Sequence, residues 1–311
     1  MPAGTMTAEA PGRAARRSPR AGRRIRIEGY VLVAPTLLVI AVLVLYPAVQ
    51  SVVSSFLHSS LLSEDHSFVG VANYVSILTD PNFLDAIVNS VEYLVVSTVI
   101  ALVVGMATAL WLRSLGRRWR GLALTVIVFP WAVPGTIAGS LWSLIFNPTR
   151  SGLLNAILLH AGAIDRPQIW LQTSAGAPVF IALSFAWGVV PIGAVILLAA
   201  LEGVPDELYE QAAIDGASSV ATFFRITVPL VRPAIAIVLV NASVLALGIF
   251  DQVYVLTGFD PGHLSVIGQT YLYAFRDFDF GFAYAASVLT TLATVLVSAV
   301  YLRTVYREVT F

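Results

Sequence analysis

The sequence predicts an all-α integral membrane protein with six transmembrane helices. Hydrophobic residues make up 58% of its 311 residues, charged residues only 12%, and the mean hydropathy is +0.83. A water-soluble domain could not bury so much apolar side chain. Six apolar runs are each long enough to cross about 30 Å of hydrocarbon as a helix. We place the spans at Tyr30–Phe56, Val88–Leu112, Leu122–Phe146, Ala177–Leu201, Pro233–Leu256 and Phe282–Leu302.

The arginines predict the orientation of these spans. Residues 1–28 hold seven Arg among Pro, Gly, Ala and Ser, which is typical of a disordered basic tail. The outer loops hold only Arg150, Arg166 and Arg276, whereas the other basic residues lie on the opposite side. By the positive-inside rule, we expect both termini and the loop 202–232 to lie on the cytoplasmic side of a bacterial cell membrane. The chain therefore divides into a tail, 1–28, and a membrane domain, 29–311.

Two residue types are absent, and each absence excludes a class of chemistry. Without Cys, the chain forms no disulfide and no thiolate or cysteine-ligated metal site. Without Lys, it has no phosphate-binding P-loop, so any work driven by ATP must come from a partner. The four histidines show neither the spacing of metal ligands nor a nearby acidic cluster, and the carboxylates form no acid/base pair. We expect no metal site and no enzyme activity.

The loop between the fourth and fifth spans predicts two short helices joined by a tight turn. Pro205 suits the first turn of a helix, and Gly216 stands where a left-handed cap would end that helix. Ser218 or Ser219 can cap a second short helix. We expect this second helix to stop before Pro229.

The same loop carries a resemblance to a known family. The segments Glu210-Gln-Ala212, Asp215-Gly216-Ala217 and Ile226-Thr-Val228-Pro229 resemble the "EAA" loop of permease subunits in binding-protein-dependent ABC importers. Gln211 and Val228 depart from the commoner Ala and Leu. In that family the loop is a cytoplasmic coupling helix that docks on the ATPase. The resemblance implies that contact with the ATPase involves Glu210, Gln211, Ala212, Asp215, Gly216, Ala217, Ile226 and Pro229.

The resemblance covers almost all of the chain from about Tyr30 onwards. FVGVANY, NPTRSGLLN and FDQVYVLT (Phe250–Thr257) are similar to the sugar-importing branch, although Gly258-Phe-Asp-Pro261-Gly replaces the usual Gly-Gly-Pro run. This implies the permease fold of a type I ABC importer. It also implies a second homologous permease subunit, two ATPase subunits that bind ATP and Mg, and an extracytoplasmic sugar-binding protein. The chain itself would need no cofactor, and no nucleic acid is implied.

Polar and aromatic residues within the spans indicate a transport path. Sugars require hydrogen-bonding groups together with flat aromatic faces. Asn241 and Gln252 are eleven residues apart, about three helical turns, which predicts a shared face. These residues could equally bond between helices, and the Trp residues could simply pack or anchor at the interface. The predicted path consists of Asn241, Ser243, Asp251, Gln252, Tyr254, Trp131, Trp142 and Trp187.

Proline and glycine predict breaks in two of the spans. Pro130, Pro134 and Gly135 interrupt the third span, and Gly188 with Pro191 interrupts the fourth. Broken helices in a membrane expose backbone groups that only protein or a watery cavity can satisfy, and they often accompany transport sites. A simple kink in each span is the alternative.

Three other functions remain open from the residues. The same machinery could carry a phosphorylated polyol or a polyamine, but a phosphate would favour cationic groups in the path, and the spans hold Arg only near their ends. An ATP-independent secondary carrier would need acidic residues at the membrane midplane, where Asp251 alone is weak support. A purely structural scaffold would leave Asp251, Gln252 and the loop unexplained.

Overall fold

The computed structural model describes residues 32–60, 62, 65–171 and 176–306. The predicted basic tail, 1–28, lies outside them. The chain divides into two compact units, Met1–Gln50 and Ser51–Phe311, and the first unit contains most of the first span. The described residues form helices joined by short segments, with two isolated β-bridges, Leu57–Phe68 and Ser60–Asp279, and no β-strand.

The described residues include thirteen helices. They are α1 (Leu32–Ser54), α2 (Ala72–Thr79), α3 (Pro81–Ser114), α4 (Arg117–Val128), α5 (Gly135–Ile145), α6 (Leu153–His160), α7 (Ala177–Glu202), α8 (Asp206–Ile214), α9 (Ser219–Leu230), α10 (Arg232–Leu247), α11 (Asp251–Thr257), α12 (Val266–Phe275) and α13 (Phe280–Thr304).

Four of these helices, α1, α3, α7 and α13, are each long and apolar enough to cross a membrane. The number of spans among the described residues rises to six if each of two bent pairs counts as one span. Helix α4, continued by a 3₁₀ turn to Ala132, meets α5 at 98°, and α9 meets α10 at 73°. The first pair covers most of the third predicted span, whereas in the second pair only α10 overlaps the fifth predicted span, Pro233–Leu256.

The predicted break in the third span is confirmed. Val133, which precedes Pro134, is extended at φ −83° and ψ 123°, so the helix stops and restarts at Gly135. The residue before a proline is pushed out of the helical region by the proline ring. Here Pro130 and Pro134 act together, and the chain turns sharply instead of kinking.

The predicted break in the fourth span is wrong, because α7 is continuous through Gly188 and Pro191. Close packing against α3 holds it straight. A Cβ on Gly105 would lie 3.4 Å from the backbone nitrogen of Ala194, and a Cβ on Gly193 would lie 3.4 Å from the carbonyl oxygen of Ala101. Packing of two backbones at this distance offsets the hydrogen bond that Pro191 cannot donate.

The fifth span is interrupted where no break is predicted. Helix α10 ends at Leu247 and α11 begins at Asp251, with Phe250 at φ −136° and ψ −57° between them. The Ser265 hydroxyl donates to the carbonyl oxygen of Ile249 at 2.6 Å, which satisfies a backbone group within the break. The shared face predicted for Asn241 and Gln252 is therefore wrong, since they lie on different helices.

The segment after α11 is tied to the N-terminal half of α3 by buried polar groups. Asn89 donates to the carbonyl oxygen of Leu264 at 3.1 Å, and the Tyr93 hydroxyl donates to that of His263 at 2.6 Å. The backbone N–H of Val266 donates to the Ser90 hydroxyl at 2.8 Å. These bonds fix the segment that leads from the broken fifth span into α12.

Candidate coupling loop and transport path

The predicted left-handed cap at Gly216 is confirmed. Its φ is +72°, and nothing lies within 4 Å of the position a Cβ would take. The N–H of Gly216 bonds the carbonyl oxygen of Ala213 at 3.2 Å, and the N–H of Ala217 bonds that of Ala212 at 2.9 Å. This pair of bonds is a Schellman motif, which satisfies the last carbonyls of α8 and turns the chain into α9.

Helix α9 begins at the predicted cap but does not end where predicted. The Ser218 hydroxyl accepts from the N–H of Ala221 at 3.3 Å. The helix was expected to stop before Pro229, yet it continues to Leu230. A π-helical turn at Phe223–Thr227 precedes the proline. In this wider turn the preceding carbonyl groups lie farther from the proline ring. The backbone hydrogen bonding of the helix then does not require the N–H that Pro229 lacks.

One arginine joins both short helices to the end of α3. The Nη2 of Arg113 contacts Oδ1 of Asp206 at 2.7 Å, and its Nη1 donates to the Tyr209 hydroxyl at 3.1 Å. The guanidinium also lies over the Tyr209 ring, 4.7 Å from its centroid. The Tyr209 hydroxyl lies 3.2 Å from Oγ1 of Thr227 in α9. Polar contacts therefore connect α8 to both α3 and α9.

A second arginine closes the turn between α3 and α4. The Nη2 of Arg120 donates to the carbonyl oxygens of Arg113 and Leu115 at 3.1 and 3.2 Å, which satisfies backbone groups at the end of α3. Its Nη1 forms an ion pair with Glu202 at the end of α7. The turn, the end of α7 and the coupling loop thus form one connected set.

The loop exposes apolar side chains on the surface of the protein. Ile214 is 84% exposed, Val220 66% and Phe224 64%, although the loop lies between spans. A groove of about 640 Å³ borders α8 and α9. Large exposed apolar side chains rimmed by polar residues indicate a protein interaction surface.

The residues assigned to the coupling surface differ in exposure. Most of them are exposed, whereas Ala212 is buried and Ile226 is half-buried. The exposed ones are Glu210, Gln211, Asp215, Gly216, Ala217 and Pro229.

Helices α5 and α11, which follow the breaks in the third and fifth spans, pack closely on each other. A Cβ on Gly135 would lie 2.7 Å from Oδ2 of Asp251, and a Cβ on Gly139 would lie 2.9 Å from Cβ of Val255. Gly135 and Gly139 are four residues apart, so the absence of their side chains lets α5 approach α11. Asp251 lies in the first turn of α11, where a carboxylate is favoured by the helix dipole.

The other polar residues of the predicted path are divided by the break. The Ser243 hydroxyl is buried and lies 3.4 Å from that of Thr98 on α3, which is a contact between helices. Oδ1 of Asn241 is buried and has no hydrogen-bond partner among the described residues. Gln252 is buried and Asp251 is exposed.

Four aromatic rings form a closed cycle at the break. Phe250 stacks on Tyr254 at 5.9 Å between centroids, Tyr254 contacts Phe259 at 4.7 Å, and Phe259 stacks on Tyr271 at 5.4 Å. Tyr271 closes the cycle on Phe250 at 5.3 Å. Tyr254 and Tyr271 are exposed. We call these four residues the aromatic basket; Asp251 lies beside it in the sequence.

The three tryptophans assigned to the path lie in different surroundings. Trp142 and Trp187 meet edge to face at 6.3 Å and line a groove of about 340 Å³. Thr108 supplies the only hydroxyl among its lining residues. Trp131 is exposed on the 3₁₀ turn. The lining of this groove is mainly apolar, whereas sugar sites also use several hydrogen-bonding groups.

Polar side chains also fix two of the segments that connect the spans. Asn155 is fully buried, donates to the carbonyl oxygens of Asn147 and Gln168, and accepts from the N–H of Gln168. Asp80 caps α3 and also accepts from the Tyr273 hydroxyl. Burial and this hydrogen bond raise the pKa of Tyr273 above its usual value. Within the described ranges, His, Asp and Glu form no cluster that could hold a metal ion.

A family model for the inner membrane component of binding-protein-dependent transport systems matches residues 97–307. The chain belongs to this family. The match begins within α3 and covers α4 to α13, so it includes the coupling loop and the aromatic basket. The family is one of transport components.

Two named relatives and one solved structure extend the comparison. The trehalose/maltose transport system permease protein MalF of Thermococcus litoralis is 33% identical over 278 residues, 88% of this chain and 92% of the relative. The sn-glycerol-3-phosphate transport system permease protein UgpA of Agrobacterium fabrum is 29% identical, over 91% of this chain and 96% of the relative. A crystal structure of a bacterial ABC transporter that imports alginate has a TM-score of 0.76 at 19% identity, over 91% of this chain and 97% of that one, which shows the shared fold.

Sequence reasoning missed several contacts in this family member. Arg113 and Tyr209 were not assigned, although an Arg at the end of one span and an aromatic residue in the loop are visible in the sequence. Phe259 and Tyr271 were also missed. Both residues lie near the segment that α3 holds against the break in the fifth span by hydrogen bonds. No local sequence pattern indicates those hydrogen bonds.

Proposed function

We propose that this chain is a permease subunit of an ATP-driven ABC importer and that its α8–α9 loop docks on an ATPase subunit. The observation that carries the proposal is the exposed apolar set Ile214, Val220 and Phe224 on a loop that Arg113 anchors to α3. Coupling requires a surface that a partner can grip and a rigid connection to the spans. The loop has both, through its Schellman turn and through Arg113.

The energy would come from the partners. The chain has no Lys and hence no P-loop of its own, so two ATPase subunits would bind ATP and Mg. A second, homologous permease subunit would complete the membrane part, and an extracytoplasmic binding protein would deliver the substrate. Both termini and the coupling loop would face the cytoplasm, as the distribution of arginines predicts.

The mechanism would be alternating access. When the ATPase subunits close, they move α8, and the contacts of Arg113 and Thr227 transmit this movement to α3 and α9. The bends at 98° and 73° supply places where half-helices can pivot without unfolding. The close contact of Gly135 and Gly139 with α11 would move the outer halves of the third and fifth spans together.

The substrate class that the residues support best is a sugar. Near the break, an exposed carboxylate at Asp251 accompanies two exposed phenols, Tyr254 and Tyr271, whose rings stack on Phe250 and Phe259. Polar groups beside aromatic faces suit the hydroxyls and the C–H surface of a sugar ring. The name of the MalF relative supports this assignment. We propose a path past Asp251, Gln252 and Tyr254, with Asn241 and Ser243 deeper in the spans.

A phosphorylated polyol is the second candidate because the UgpA relative is named for sn-glycerol-3-phosphate. A phosphate in the path would favour a cationic partner. The described spans hold arginine only near their ends, at Arg113, Arg117, Arg232 and Arg303 among others. This distribution favours an uncharged sugar.

The experiment is reconstitution of the complete importer in liposomes, with the partner ATPase, second permease and binding protein. ATP hydrolysis is then measured with maltose, lactose and sn-glycerol-3-phosphate as candidate substrates. We expect stimulation by the binding protein loaded with a sugar. Stimulation by sn-glycerol-3-phosphate alone would support the second candidate, and uptake without any ATPase would contradict the proposal.

A further inference from the structure

An apolar groove lies at the turn between α3 and α4, next to arginines that the coupling loop does not use. Its volume is about 300 Å³. We propose that this groove holds an acyl chain of an anionic phospholipid and that the headgroup lies on Arg117 and Arg118.

The walls of the groove suit an acyl chain. Four of the lining residues, at positions 119, 122, 123 and 126, follow the spacing of a single face of α4, and two from the end of α3 and the turn complete the groove. Trp111 is 52% exposed and Trp119 68% exposed, so both rings are open to the outside. From Trp119 to Val126 the wall is about 10 Å long at 1.5 Å per residue. The lining residues are Trp111, Leu115, Trp119, Leu122, Ala123 and Val126.

The position of the groove, at the ends of two predicted spans, also suits a lipid. Trp111 lies in the last turn of α3 and Trp119 in the first turn of α4, where the chain leaves one span and enters the next. Tryptophan is enriched at the boundary between hydrocarbon and water, because its ring is apolar and its N–H is polar. The groove therefore begins at the predicted cytoplasmic boundary and extends into the hydrocarbon.

The charges of the turn select an anionic occupant. Of its four arginines, Arg113 is paired with Asp206 and Arg120 with Glu202. Arg117 and Arg118 are exposed and have no ion pair within the described part of the chain. The protein thus supplies carboxylates for two of the arginines, and a lipid phosphate would supply the counter-charge for the other two.

The position of the site connects the lipid to coupling. Arg113 and Arg120, which hold the coupling loop and the end of α7, flank Arg117 and Arg118 in the same turn. A bound lipid would hold this turn at the membrane surface while the loop is moved from the cytoplasmic side. The inference needs only the groove and its charges, and it does not depend on the substrate.

The test is the quenching of tryptophan emission by lipids with brominated acyl chains. The full-length chain is reconstituted with increasing fractions of brominated phosphatidylglycerol or brominated phosphatidylcholine. We expect half-maximal quenching by phosphatidylglycerol at a fraction about 25-fold lower than by phosphatidylcholine, because each of the two arginines strengthens binding to an anionic surface roughly fivefold. The double variant R117Q/R118Q should reduce this preference to within about twofold.

Two matched variants make the result specific. R303Q removes another exposed arginine near the end of a span and should keep the full preference. W111F/W119F should remove the part of the quenching that prefers phosphatidylglycerol, because those two rings report on the groove. Equal quenching by both lipids, or a preference that survives in R117Q/R118Q, would overturn the proposal. A preference present in the isolated chain but absent from the assembled importer would show that a protein subunit covers the groove, and would also overturn it.

Discussion

Asp251 and Gly135 are in contact across two broken helices, and a Cβ at Gly135 would stand 2.7 Å from Oδ2 and 2.9 Å from Cβ of Asp251. This contact joins the restart of the third span to the restart of the fifth. It also explains why a glycine follows Pro134, where the proline alone would suffice to break the helix. The carboxylate, despite this close packing, remains exposed.

Replacing Gly135 with alanine should loosen the pair α5–α11. The added methyl group meets the Cβ of Asp251, which is close to the backbone and cannot swing away, so we expect a loss of about 1–3 kcal/mol in stability. The measurement is the thermal unfolding of the purified chain in detergent. Gly188→Ala is the control, because the nearest atom to its Cβ would be 3.9 Å away and alanine favours the helix. A Gly135→Ala variant as stable as the control would contradict the contact.

The Asp251→Asn variant should weaken import but not assembly. It keeps the shape of the side chain and removes a charge-assisted hydrogen bond, typically worth about 1.5–3 kcal/mol. We expect import at low sugar concentration to fall roughly tenfold or more. Complex yield and the concentration dependence of import are measured on one preparation. Poor yield with a normal concentration dependence would instead assign Asp251 to contact between helices.

The Gly216→Val variant should insert normally and fail to couple. At φ +72° a β-branched residue costs on the order of 1 kcal/mol or more, so the turn would open and α9 would be redirected. We expect membrane insertion at the wild-type level and loss of most stimulated ATP hydrolysis. Gly216→Asn is the matched variant, since asparagine tolerates the left-handed region, and it should retain most of the activity. Normal coupling in the valine variant would show that the turn is not needed.

Arg113 and Asp206 should act as a unit in coupling and contribute little to stability. Their contact is exposed on the Asp206 side, and such pairs typically contribute only about 0.2–1 kcal/mol. Arg113→Gln and Asp206→Asn should each lower stimulated ATP hydrolysis several-fold with unchanged melting temperatures. The double variant should be no worse than Arg113→Gln alone, because the contact is already lost. Additive effects of the two changes would mean that the residues act separately. Arg303→Gln serves as the control.

The sequence predicts the parts of this fold that depend on local chemistry. The turn at Gly216 follows from glycine's access to positive φ, and the break near Pro134 follows from the clash that a proline imposes on the residue before it. Pro191 shows the limit of such reasoning, because packing of α7 on α3 through Gly105 and Gly193 keeps the helix continuous. Tertiary contacts decide that position.

The break before Asp251 could not be predicted for a related reason. No proline stands at 248–250, and the exposed backbone is satisfied by Ser265, which is 16 residues away from Ile249 in the sequence. The aromatic basket depends on the same return of the chain, since Phe259 and Tyr271 reach Phe250 and Tyr254 only because α3 holds the intervening segment. Each of these features is a contact between distant segments.

Docking of the α8–α9 loop on an ATPase is tested most directly by photo-crosslinking from Phe224. The chain contains no cysteine, so Phe224→Cys labelled with a benzophenone maleimide carries one probe at a position that is 64% exposed. Phe68→Cys, 76% exposed in the first outer segment, is the control. After irradiation of native membranes, mass spectrometry should find a P-loop ATPase attached at position 224 and none at position 68. Attachment only to lipid or to other membrane proteins at position 224, with the probe fully incorporated, would contradict the assignment of this loop.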